Sequence, residues 1–242
     1  MPPADREAPE LLPVAVLLGG RGTRLGELAR DTPKALVPVA GEPFVFHQLR
    51  LLARQGARRV VLCVGHLGDR IVDAVGDGAR FGVEVEYAFD GPELLGTAGA
   101  LRGASHLLGE RFLVTYGDAY LRVDHRAVQA AFLHSGLPGL MTVVRNEDRW
   151  VPSNAVFDGG LVTAYDKQMP PPEARYVDYG LLAFDARVLS EHDDADLSDV
   201  CRALAARGAL GGLLAHERFY EIGTPEGLAA TDAFLRDAQR RG

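Results

Sequence analysis

The chain has 242 residues, an apolar fraction of 47% and a formal charge of -7, enough length to bury a substantial core in one or two domains. The acidic balance argues against a protein that grips nucleic acid through a broad basic surface. No apolar run approaches the roughly 18 residues that read as a membrane span. The opening MPPADREAPELLP lacks a basic region and a long apolar stretch, so it reads as a loose tail over residues 1–12 and not as a secretory signal.

The pattern from there alternates. LPVAVLLGG is an unbroken apolar run closed by glycines, as expected of a strand buried on both faces. Phe44 to Gln55 carries apolar residues at near-helical spacing and predicts the first helix. RRVVLCVG repeats the buried-strand pattern, and LGDRIVDAVGDG predicts a helix stopped by glycine. VEVEYAF alternates as a strand, GTAGALRGASHLLG predicts one helix, and RFLVTYGDAY a strand running into a loop. Cys63 and Cys201 stand in apolar surroundings and are expected in the core, as suits a reducing cytoplasm.

The second half is less regular. Helix is expected over Arg126–His134, strands at GLMTVVR, NAVFDGG, LVTAYDK and YVDYGLLAF, and helices at Leu197–Ala206 and Pro225–Gln239. The whole predicts an α/β fold: a Rossmann-like, mainly parallel mixed sheet flanked by helices. No linker or repeat divides it, so residues 13–242 are read as one domain with a lid-like C-terminal half. Ligands in such sheets bind beyond the carboxyl ends of the strands.

The glycine turn after the first strand lies at such an end. Between Gly19 and Lys34, Arg21, Arg24, Arg30 and Lys34 face only Glu27 and Asp31, a local charge reversal that suits a small anion. Glycine lets backbone N–H groups approach phosphate oxygens closely. GGRGTRLGELARDTPK matches neither a Walker loop nor G-x-G-x-x-G in register. By itself it fits a plain turn with solvated arginines equally well.

GGRGTRL, then PKALVPVAGEPF, then GDAY together resemble the nucleotidyltransferases that activate sugar 1-phosphates. The resemblance extends through LLGTAGAL, YDK, DYG and YEIGTPEGL and covers nearly the whole chain. It implies the nucleotide-diphospho-sugar transferase type of fold and attack of a sugar 1-phosphate on the α-phosphorus of an NTP, expelling pyrophosphate. Arg24, Lys34 and Asp118 fall on the catalytic positions. Gly19, Gly20, Arg21, Gly22, Thr23, Gly96, Thr97 and Gly117 fall on the nucleotide side. Asn154, Asp166, Lys167, Tyr179 and Gly180 fall on the sugar-phosphate side. Asp118 is the implied Mg²⁺ ligand, and Glu221 stands where the family usually has a second aspartate. Two polyanions must meet in such a reaction, so cations have to offset their repulsion. Arg24 can hold two phosphate oxygens with its planar fork, while Lys34 offers a compact charge.

The motifs DYGLLAF and FYEIGTPEGL are similar to the branch that joins GTP to D-glycero-D-manno-heptose 1-phosphate. A branch using UTP or CTP with hexose or amino-sugar 1-phosphates is the alternative, and the Glu221 departure leaves room for a non-catalytic nucleotide-binding homologue. The partners implied are an NTP and a sugar 1-phosphate, with no nucleic acid, no membrane, a homodimer allowed and a cytoplasmic location.

Overall fold

The computed structural model describes residues 10–20, 32–91 and 93–241. In chain order these form β1 (Val14–Leu17), the two-residue strands β2 (Pro38–Val39) and β3 (Glu42–Pro43), α1 (Phe44–Arg54), β4 (Arg59–Val64), α2 (Gly68–Val75), β5 (Glu84–Phe89), α3 (Gly96–Gly103), α4 (Ser105–Leu108), β6 (Arg111–Tyr116) and β7 (Ala119–Tyr120). The second half supplies α5 (His125–Ser135), β8 (Gly139–Arg145), β9 (Ala155–Asp158), β10 (Leu161–Tyr165), β11 (Tyr176–Asp185), α6 (Arg187–Ser190), α7 (Leu197–Ala206), β12 (Leu210–Ala215), β13 (Tyr220–Glu221) and α8 (Pro225–Arg241).

One nine-stranded sheet runs β5-β4-β1-β6-β11-β8-β12-β10-β9. Its first four strands are parallel, as the alternating first half predicts. β11 joins antiparallel to β6 and β8, and β12 lies parallel to β8. The second half therefore extends the same sheet. β12 was not expected, because Gly211 and Gly212 interrupt its apolar run. Gly212 is needed there: a Cβ would lie 2.5 Å from the Phe157 ring.

Successive side chains of a strand point to opposite faces, and the core divides accordingly. Val14 and Val16 enter one apolar layer with Val60, Leu62 and Leu113, while Ala15 and Leu17 enter the other with Val61, Cys63 and Val114. The first layer is covered by α1, α2 and α5, through residues such as Leu49, Ile71 and Val128. The second is covered by α3 and α7, through Leu101, Val200 and Leu204. Burial of this length of apolar strand is the main source of stability. Cys63 and Cys201 are buried thiols, and burial pushes Cys63 up to about 12.

The segment expected as one helix over GTAGALRGASHLLG divides into α3 and α4 at Gly103–Ala104, where glycine weakens the helix. Residues 10–12, read from sequence as tail, are held against α5. Leu11 is buried, Gln129 Nε2 donates to the Glu10 carbonyl, and Leu12 N–H donates to Gln129 Oε1.

His125 opens α5, just after the Asp124 cap, with 1% exposure. Burial lowers its pKa to about 4, so it is neutral in the folded chain, whereas the unfolded imidazole titrates near 6.5. The unfolded state then binds the extra proton between these values, and stability falls as pH drops from about 6.5 to about 4. His125→Phe is expected to remove about 2 kcal/mol of the wild-type loss between pH 7 and pH 4.5, measured by urea midpoints. Parallel pH profiles for the two proteins would place the acid sensitivity in other groups.

Candidate active site

Three parallel strands deliver their carboxyl ends to one cavity of about 400 Å³. β1 contributes Gly19 and Gly20, β5 contributes Asp90, and β6 contributes Tyr116, Gly117 and Asp118. Lys34, Gly96, Thr97 and Gly223 complete the working surface. Sequence reading assigned Gly19, Gly20, Lys34, Gly96, Thr97, Gly117 and Asp118 to a single site, and the fold brings these seven together. Arg21, Gly22, Thr23 and Arg24 lie outside the described residues.

Lys34 starts a single 3₁₀ turn after Pro33. Its Nζ donates to Asp118 Oδ2 at 2.5 Å, with the two side chains 15% and 28% exposed. Asp118 occupies the tight connection between β6 and β7. Gln48, buried on α1, secures that connection from both sides: its Nε2 donates to the Tyr116 carbonyl at 2.8 Å and to the Ala119 carbonyl at 2.9 Å. A buried amide placed between two carbonyls leaves the turn little freedom.

The other end of the chain returns to this point. β13 pairs antiparallel with β7, setting Glu221 opposite Ala119, and Ile222 N–H donates to the Asp118 carbonyl at 2.9 Å. Glu221 Oε2 and Lys34 Nζ both crowd Gly223, at 3.2 and 3.4 Å from where a Cβ would stand. Two carboxylates and one ammonium thus converge from three distant parts of the sequence.

The wall of the cavity formed by the start of α3 rests on close backbone approaches. Gly96 has a φ of +76°, and a Cβ there would lie 2.4 Å from the Ala195 carbonyl oxygen, so only glycine fits. The Ala98 N–H donates to that same carbonyl at 2.8 Å. Thr97 Oγ1 donates to Asp196 and accepts from Leu197 N–H, tying the cavity wall to the start of α7.

Asp90 is the group that sequence reading missed. It directly follows β5, the third long strand. Its carboxylate lies against the ends of β1 and β4: Oδ2 is 3.1 Å from a would-be Cβ on both Gly19 and Gly65. Burial raises its carboxyl above the ordinary range, and a backbone N–H from Leu95 pulls the other way. A half-buried acceptor-only group facing a cavity needs donors from whatever fills it.

On the far side, Lys167 Nζ lies 3.0 Å from Asp178 Oδ2, 3.3 Å from the Tyr116 hydroxyl and 4.7 Å from the Tyr116 ring centre. Burial opposes the charge, but the Tyr116 phenol and the Asp178 carboxylate outweigh it and hold the ammonium's pKa well above its ordinary value. Asp178 is fixed in turn. Its Oδ1 accepts from Gly180 N–H, its Oδ2 accepts from the Tyr165 hydroxyl, and its own N–H donates to Asn154 Oδ1. Asn154 and Asp178 therefore orient Lys167. Gly180 has a φ of +101°, and a Cβ there would lie 3.6 Å from the Tyr116 ring. Asp166 caps the turn at Gln168 and Met169 and pairs with Arg202, while the buried Tyr179 accepts from Arg122 N–H.

Residues 14–158 match the family described as nucleotidyl transferase. The chain belongs to the nucleotidyl transferase family. It is 39% identical over 113 residues to N-acetylmuramate alpha-1-phosphate uridylyltransferase of Neisseria meningitidis serogroup B, covering 46% of this chain and 49% of that one. It is 29% identical over 162 residues to UTP--glucose-1-phosphate uridylyltransferase of Synechocystis, covering 62% and 40%. It is 26% identical over 220 residues to the mannose-1-phosphate guanylyltransferase catalytic subunit beta of Xenopus tropicalis, covering 87% and 61%. The matched segments thus span 40% to 61% of these relatives' lengths. In fold the chain is similar to HddC from Yersinia pseudotuberculosis, solved with GMP-PN, at a TM-score of 0.77 and 23% identity over 93% of this chain and all of that one. These relatives carry different bases and sugars in their names.

Proposed function

We propose that this chain transfers the guanylyl group of GTP to a heptose 1-phosphate, releasing pyrophosphate. The carrying observation is Asp90. Guanine presents two adjacent donors, N1–H and the N2 amino group, which a carboxylate can accept side by side, as it does a guanidinium fork. Uracil and thymine present one N–H flanked by two carbonyls, which would set oxygen lone pairs against the carboxylate. A site built on a buried polar group discriminates strongly against a ligand that leaves it unpaired. The guanylyltransferase relative aligned over 87% of the chain agrees with this reading of the base. The acceptor reading rests on DYGLLAF and FYEIGTPEGL.

The donor set at Asp118 and Glu221 fits Mg²⁺, which takes hard oxygen ligands and is typically held by one or two carboxylates plus substrate phosphates. Glu221 is one methylene longer than the family's usual aspartate, and the β7–β13 ladder brings its backbone directly opposite Ala119. When bound, the ion offsets phosphate charge. The chain's own contribution is positioning. Lys34 turns from Asp118 to the phosphates, Lys167 presents its remaining N–H toward the sugar phosphate, and the Gln48 clamp keeps Asp118 in place. No general base is required, because a phosphate monoester is already an oxyanion at neutral pH, and catalysis rests on alignment and electrostatics.

The test is pyrophosphate release with Mg²⁺, each of the common NTPs and a panel of sugar 1-phosphates. GTP with a heptose 1-phosphate is expected to exceed every UTP or CTP pair by at least about tenfold in kcat/KM. A UTP preference would return the chain to the uridylyl branch, and no release with any pair would favour a non-catalytic nucleotide-binding protein.

A further inference from the structure

A second cavity of about 270 Å³ shares no lining residue with the first, and of the residues assigned above only Glu221 lines it. Its walls include Arg149, Trp150, Arg218, Phe219, Glu221 and Glu226. Glu221 is the partition: it lines this cavity, while its Oε2 shares the space around Gly223 with Lys34, and Gly223 lines the nucleotide cavity.

The sheet order says which end of the reaction this cavity serves. Asp90 follows β5, and Asp118 follows β6 three strands later. Trp150 follows β8 and Phe219 follows β12, two and three strands beyond β6. β8 and β12 run in the same sense as β6, so all these ends share one edge of the sheet. At roughly 4.8 Å per strand, the ends of β8 and β12 lie about 10–14 Å along the sheet from the end of β6, on the side away from Asp90. An acceptor aligned at Lys34 with its sugar directed away from Asp90 would extend toward this side.

The loop that carries Trp150 is held in an uncommon shape. Glu147 and Asp148 adopt φ of +48° and +57° in succession, and neither is glycine. Asn146, 1% exposed, donates to the Val151 carbonyl and to Ser153 Oγ, while Asp148 Oδ1 accepts from Ser153 N–H at 2.7 Å. Left-handed non-glycine residues persist where the surrounding structure enforces them, often at ligand clamps. Here they present Arg149 and Trp150 to the cavity. Trp150 meets Phe219 edge to face at 6.2 Å, so the two rings form a continuous apolar wall. The guanidinium of Arg149 lies 5.9 Å from the Trp150 ring centre and that of Arg218 lies 5.2 Å from the Tyr220 ring centre. Neither forms an ion pair among the described residues.

We infer that this cavity binds the polyhydroxyl arm of the acceptor sugar, its carbons against Trp150 and Phe219 and its hydroxyls on Arg149, Arg218 and Glu226. The wall combines two arginines with Glu226, and with Glu221 at the partition, and a mixed set of donors and acceptors matches hydroxyls, which do both. The inference rests on the acceptor being a sugar 1-phosphate and adds the selection for a chain extended beyond the ring.

Trp150 is the chain's single tryptophan, so its emission reports on this wall alone. The wild-type protein and the Arg149→Met and Arg218→Met variants are titrated with D-glycero-D-manno-heptose 1-phosphate, mannose 1-phosphate and inorganic phosphate, by fluorescence and by calorimetry. The heptose compound is expected to shift Trp150 emission and to bind about tenfold more tightly than the mannose compound. Each variant should lose that preference while its affinity for GTP stays within about twofold. Equal wild-type affinity for both sugars, or calorimetric saturation with unmoved emission, overturns the arm site and leaves the acceptor class standing. No calorimetric binding of either sugar phosphate overturns the acceptor class and the arm site together.

Discussion

Lys34→Ala is expected to lower kcat by roughly 10²–10³, the usual cost of deleting one preorganised charge at a transition state, and at the same time to tighten divalent-metal binding. The opposite signs follow from one contact. Lys34 Nζ sits 2.5 Å from Asp118 Oδ2 and crowds Gly223 beside Glu221 Oε2. In the ligand-free chain the ammonium therefore neutralises the carboxylates assigned to the ion, so cation and metal compete for the same oxygens. Alanine removes the competitor and also removes the charge that must later face the phosphates. Pyrophosphate release gives kcat, and Mn²⁺ titration followed by electron paramagnetic resonance gives ion affinity. Asp118→Asn is the control of opposite character, expected to weaken both. A parallel loss of metal affinity and turnover in Lys34→Ala would mean that the residue only supports the turn. Unchanged turnover would remove it from the chemistry.

Long-range features of this site were legible in sequence where a motif or an apolar run marks them. β1 and β4 read clearly because both of their faces are buried, so apolar residues follow one another without interruption. α7 came out with its observed bounds, because Asp196 caps it through Ser198 N–H and its apolar positions repeat at helical spacing. β7 and β13 have two residues each, too few for any periodicity. Their pairing is what carries Glu221 to Asp118. Lys167 was placed on the sugar-phosphate side by resemblance, whereas its partner Asp178 was not among the residues assigned from sequence. An ion pair leaves no local signature when its members stand eleven residues apart, one in the loop after β10 and the other on β11. Asp166 shows the converse. It stands beside Lys167 in the same motif, yet its oxygens are engaged by a turn and by Arg202. Sequence neighbours on a strand end face different ways, and only the fold separates them.

Asp90→Asn tests the remaining selection, that of the base. The variant is nearly isosteric, which matters where Gly19 and Gly65 leave a gap only as wide as the native group. For GTP the expected result is a fall in kcat/KM of roughly 30–100-fold, since one of two charge-assisted bonds at about 1.5–3 kcal/mol each is lost and the new amide N–H₂ faces a donor. For UTP the expected result is a rise. An amide offers one acceptor and one donor side by side, the complement of uracil N3–H and its neighbouring carbonyl. Measuring both nucleotides with one acceptor separates recognition from damage. If kcat/KM fell by the same factor for GTP, UTP and CTP, Asp90 would be supporting the cavity wall and not reading the base. If GTP alone fell and UTP rose, the choice of base in this chain would follow from the hydrogen-bonding sense of one side chain at the end of β5. The carboxylate makes that sense acceptor-only, and guanine is the base whose exposed edge supplies two donors to meet it.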